Sequence, residues 1–100
     1  MALKHWAFIY TAPGMPSDGK RDVVDSGSCK TVLVGVPDVA AAIPLAATLV
    51  DEGVQLIELC GGFGPAGSAK ILEAVAGRVP IGSVAYGPES VTGVHKIFAD

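Results

Sequence analysis

Three times in succession the chain runs from a β-prone apolar segment, through a turn rich in glycine or proline, into a segment with helical periodicity. Residues 31–36 (TVLVGV) give way at Pro37-Asp38 to a helical stretch over 39–52 that Gly53 stops. Residues 55–60 (QLIELC) pass through the glycine-rich 61–65 (GGFGP) into a helix over 66–76 closed by Gly77. Residues 80–86 (PIGSVAY) pass through Gly87-Pro88-Glu89 into a last helix over 90–98. Strands that alternate with helices through short loops pair in parallel, because each crossover returns the chain to the same end of the sheet. A further apolar run, residues 6–10 (WAFIY), reads as a buried strand ended by the breaker at 11–14. The expected fold class is therefore α/β, one compact domain over residues 1–100 with a mainly parallel four-stranded sheet and flanking helices. Both directions stay open for the first strand.

Residues 15–28 are polar and carry Pro16, Gly19 and Gly27. They read as a long loop or lid, with room for a short helical turn over 20–24, and Lys20 or Arg21 on such a lid would be placed to clamp an anion. In the first long helix Asp38 is a natural N-cap, and Pro44 predicts a kink or a delayed start. Residues 39–50 show no charged face, so this alanine-rich helix is expected to be covered all round, most simply by another copy of the chain. Composition points the same way. Half the residues are hydrophobic and 17% are charged, against an average of about 25%. A chain of 100 residues has little interior in which to hide that much apolar surface, and a homo-oligomer is the expected state.

Several classes are set aside. Net charge is −3, and the seven basic residues are scattered rather than gathered into the positive patch that nucleic-acid binding requires. The longest apolar stretch, 39–50, is shorter than the ~20 residues that span a bilayer. No secretory signal pattern opens the chain, and two cysteines, Cys29 and Cys60, are expected as reduced thiols in a cytoplasmic protein. No spacing of Cys and His suggests zinc, no complete nucleotide-binding motif is present, and no cofactor is expected.

In open α/β sheets ligands bind outside the carboxyl ends of the strands, and here that edge carries the loops at 35–38, 60–67 and 86–89. The segment 58–65 (ELCGGFGP) is the most informative. Its glycines let the backbone approach a ligand, and the helix that follows presents free N–H groups and a positive dipole end. Gly61, Gly62, Phe63, Gly64 and Ser68 are the candidate ligand-binding residues for a small anion; the alternative is a tight turn and nothing more. Three side chains are catalytic candidates. Glu58 lies inside a strand; if its sheet face is covered it is a buried carboxylate suited to acid–base work, and the alternatives are a structural ion pair or an edge reached by solvent. Cys60 meets the helix N-terminus, which can activate a thiol, although a small buried hydrophobe is the commoner role. Tyr86 ends the last strand at the same edge, as an orienting hydroxyl or as rim packing. Tyr10 joins this edge only if the first strand runs parallel to the others, and His95 and His5 read as border residues.

Residues 58–65, the opening 6–13 and the ending 85–89 (AYGPE) together resemble a family of small uncharacterised bacterial proteins of about this length. The resemblance covers nearly the whole chain and implies a stand-alone domain; it implies no reaction, cofactor or catalytic residue. Two functions follow from the residues. One is an oligomeric domain that binds a small anionic metabolite at the loop edge, or a small cofactor-independent enzyme acting there. The other is a structural or regulatory assembly protein whose glycine loop is only a turn.

Overall fold

Residues 2–99 are described by the computed structural model. Strand β1 (His5–Thr11) is followed by β2 (Lys20–Asp25), β3 (Lys30–Val36), helix α1 (Val39–Asp51), β4 (Ile57–Leu59), α2 (Gly64–Val75), β5 (Ile81–Ser83), a 3-10 turn at Pro88–Ser90 and α3 (Val91–Phe98). The five strands lie in the order β2-β3-β1-β4-β5. β1 is central and parallel to both β3 and β4, β5 is parallel to β4, and only β2 is antiparallel.

The fifth strand corrects the expectation of four, and it replaces the expected lid. The sequence KRDVVD offers no buried face, and every residue of β2 is exposed. The strand exists because its backbone completes the ladder of β3, from Lys20 opposite Gly35 to Asp25 opposite Lys30. Its charges suit an edge that must not recruit further strands. The turn between them is held by its own side chains. Asp25 Oδ1 accepts from the Gly27 N–H at 2.8 Å, and Ser26 Oγ accepts from the Cys29 N–H at 3.0 Å. No helical turn forms over residues 20–24.

Successive residues of a strand face opposite sides. One side of the sheet carries Ala7, Ile9, Val32, Val34, Ile57 and Leu59, all buried with Ala42, Ala46 and Leu49 of α1 and Ile71 and Val75 of α2. The other side carries Trp6, Phe8, Tyr10, Thr31 and Leu33, each half-buried, and Glu58, which is exposed. Two helices thus cover one face, and among the described residues no element buries the other.

Helix α1 starts where its cap predicts. Asp38 Oδ1 accepts from the Ala41 N–H at 2.9 Å. Pro44 neither delays the start nor ends the helix. It lies on an exposed stripe with Ala40, Thr48 and Asp51, where water can reach the Ala40 carbonyl that loses its donor. Within one chain that stripe of α1 stays exposed, so any cover for it would come from outside the chain. The larger side chains of the helix turn toward the sheet and α2, and what remains outside is small or polar, at little cost. The last strand is shorter than expected: β5 pairs only over Ile81–Ser83, and residues 84–87 leave the sheet.

The topology defines a crevice. From β1 the chain moves toward β2 and β3, and from β4 it moves the opposite way to β5. The carboxyl ends of β1 and β4 are therefore neighbours whose connections diverge, the switch point at which open sheets bind ligands.

Candidate functional site

At that switch point Thr11 ends β1 and Cys60 follows β4. The Thr11 N–H donates to Cys60 Sγ at 3.4 Å, and Thr11 Oγ1 lies 3.8 Å from the same sulfur. The half-buried thiol pins the two strand ends together. Gly62 comes next and runs so close to Thr11 that a Cβ there would sit 2.5 Å from Thr11 Oγ1. Gly61 is equally constrained from the other side: a Cβ would meet the Tyr86 ring at 2.5 Å. The glycines are thus spent on close approach, one to β1 and one to an aromatic ring.

Helix α2 then begins without a side-chain cap. Its N-cap residue is Phe63, whose ring is 5% exposed and belongs to the core. Pro65 occupies the first turn and has no N–H. The N–H groups of Gly62, Gly64 and Ala66 find no acceptor among the described residues. They lie at the positive end of a helix of 12 residues.

A cleft of about 430 Å³ opens beside this turn. Gly61, Gly64 and Pro65 form one wall, residues 83–86 the floor, and Val91, Val94 and His95 of α3 the other wall. Among the described residues no carboxylate lines it. Tyr86, half exposed, and His95 are its titratable side chains. Either can donate a hydrogen bond to a bound anion, and either can hold or pass a proton.

Of the candidates read from sequence, Gly61, Gly64 and Tyr86 converge on the cleft. Cys60 and Gly62 lie immediately behind it, at the strand junction. Phe63 is turned into the core instead of toward a ligand. Ser68 is half-buried one turn into α2, its Oγ without a partner, and does not line the cleft. Glu58 stands on the uncovered sheet face, exposed, opposite Phe8 and Gly82. The burial on which its acid–base role depended is absent. Tyr10 reaches the carboxyl half of the parallel β1 but points to the uncovered face, beside Phe8, with ring centroids 6.4 Å apart. His95, expected as a border residue, lines the cleft beside Val91 and Val94. Its spacing of four residues from Val91 puts the two on one helix face, but does not say which cleft that face would meet.

Two further features bear on what the site can hold. Among the described residues no three His, Cys, Asp or Glu side chains come together as a metal site would need. No described helix is long and apolar enough to cross a membrane.

No curated protein and no solved structure matches the chain. A family profile does match, over residues 4–99, in accord with the expected small uncharacterised family. The chain belongs to the family of unknown function DUF6506.

Proposed function

We propose that this chain binds a small organic anion with an apolar body, and that it acts as a cytoplasmic homo-oligomer. The observation that carries the reading is the composition of the cleft at the carboxyl ends of β4 and β5, beside the switch point. Its walls are apolar, through Pro65, Val84, Val91 and Val94, and among the described residues no acidic side chain lines it, in a protein of net charge −3. The polar groups it offers are suited to an anionic head: the N–H groups of Gly61 and Gly64, which find no acceptor among the described residues, the Tyr86 hydroxyl and His95. Pockets of roughly 300–1,000 Å³ hold small ligands, and this one falls at the lower end. If the bound anion is turned over, Tyr86 and His95 are the groups placed to move its proton, with no cofactor needed for a proton transfer or an elimination.

Thermal unfolding with and without small carboxylates and phosphate tests the reading. A ligand at 100-fold over its dissociation constant adds about 2.7 kcal/mol if it binds only the native state. For a domain of this size that is a rise in Tm on the order of 10 °C or more. Gly61→Ala forces the Tyr86 ring off the turn; because that ring is half exposed it can swing away, so the variant is expected to fold and to lose the ligand-induced rise. A rise that Gly61→Ala leaves intact places binding elsewhere, and no rise with any anion favours the assembly protein.

A further inference from the structure

Helix α3 is held in place by very little. None of its residues is buried, whereas α1 buries Ala42, Ala46 and Leu49 and α2 buries Gly67, Ile71 and Val75. Among the described residues, the last hydrogen bond from this end of the chain to the rest of the domain runs from the Val84 N–H to the Leu59 carbonyl, at 2.9 Å. The Tyr86 ring then lies against Gly61. Beyond it, the described residues 87–99 hydrogen-bond only within their own turn and helix and join no ion pair. Helices below about 12–15 residues are marginal alone in water, and α3 has eight. It therefore depends on what its apolar face meets.

That face is aimed at the cleft. Val91, Val94 and His95 line it. Phe98, one helical turn after Val94, falls on the same face, yet it lies beyond the cleft lining and is 63% exposed. Thr92, Gly93 and Lys96 face the other way. The start of α2 stands opposite, so the gap of about 430 Å³ separates an apolar helix face from the domain that would pack it. Gly87 is the natural pivot. It follows the last anchored residue, carries no side chain, and precedes the rigid Pro88 and its 3-10 turn.

We propose that α3 is a lid hinged at Gly87, and that the apolar body of the bound anion supplies the core on which it closes. The inference rests on the anion site proposed above and adds its regulation. The anionic head meets the N–H groups of Gly61 and Gly64, and the body lies under Val91, Val94 and Phe98. An anion without an apolar body, such as phosphate, gives α3 nothing to pack on.

Amide hydrogen exchange of the full chain, followed residue by residue at constant ionic strength, is the test. In the protein alone, the amides of 94–98 are expected to exchange within about tenfold of an unstructured peptide, and those of 71–75 at least about a thousandfold more slowly. Benzoate at about tenfold over its Kd is expected to slow exchange in α3 about tenfold, and phosphate to leave it unchanged. Two substitutions outside the cleft lining separate a lid from a fixed wall. Gly93→Ala adds a methyl group in open space on the outer side of α3 and favours its helix. It is expected to tighten benzoate binding about two- to fivefold by raising the closed population. Phe98→Ala removes a ring that closing buries, and is expected to weaken benzoate binding about fivefold while leaving the Tm of the protein alone unchanged. Amides in α3 as protected as those of α2 in the protein alone, or a benzoate affinity indifferent to both substitutions, overturn the lid and leave the site standing. Benzoate that raises Tm without slowing exchange in α3 does the same. No rise in Tm with benzoate overturns the site and the lid together.

Discussion

Two helices start at the same edge of this sheet, four residues or fewer after their strands, and they start differently. α1 is capped by its own chain: Asp38 reaches back to the Ala41 N–H, and at the far end Glu52 is held by Arg21 of β2 at 2.6 and 3.0 Å. α2 has an aromatic ring where a cap belongs, and that ring is buried. The donors that Asp38 satisfies in α1 are left in α2 to whatever enters the cleft. The comparison teaches that a missing cap is informative when the residue in its place has another task. Phe63 holds the turn from beneath, so the turn keeps its shape without a cap, and its N–H groups stay available.

The largest effect expected is at Phe63. If the ring anchors the uncapped turn, Phe63→Ala costs about 3–5 kcal/mol, the usual loss for a buried aromatic, and urea unfolding measures it. A loss below about 1 kcal/mol, no larger than that of an ordinary surface change, would put Phe63 back among ligand contacts. Asp38→Ala comes next. It removes one cap at an exposed site and is expected to cost about 1 kcal/mol, without altering ligand binding at the other loop. A change in anion affinity in Asp38→Ala would break the distinction between the two helix starts.

The smallest effect lies at the far end of α1. The Arg21 guanidinium, bonded to both Glu52 oxygens, holds the Glu52 carboxyl below its ordinary range, and Glu52 raises Arg21 in turn. A carboxyl lowered by folding stabilises the protein above its unfolded pKa, and that stability is lost as pH falls through the folded value. Both side chains are more than a third exposed, so solvent screening limits the pair to less than about 1 kcal/mol. Glu52→Gln is expected to show this deficit in urea unfolding at neutral pH and none in acid, where wild type has lost the same interaction. A deficit that persists in acid would assign Glu52 a role other than its charge.

Much of this arrangement is legible in the residues. The alternation of apolar runs with Gly and Pro predicts the parallel sheet, Asp38 predicts its own cap, and 61–64 predicts the edge at which the cleft opens. The rest depends on which surfaces meet, and a single strand pattern does not encode that. β2 forms through backbone pairing with β3 while its side chains stay in water, so it carries no hydrophobic signature. Period-two alternation groups Glu58 with Leu56 and Cys60, but it does not say which sheet face the helices choose. An aromatic residue inside a glycine turn reads the same whether it points in, as Phe63 does, or out. His95 joins the cleft because α3 runs back past Tyr86, a matter of tertiary placement rather than local sequence.

The most direct test of the uncapped loop is an amide titration. Uniformly 15N-labelled protein is titrated with benzoate, an anion with an apolar body, and separately with phosphate, and the shifts of individual N–H groups are followed. Saturable shifts are expected at Gly61, Gly62, Gly64 and Ala66, larger with benzoate, together with Tyr86, while the capped start of α1 at 39–41 stays still. Shifts that grow linearly without saturation, or that are as large at 39–41 as at 61–66, would contradict that expectation.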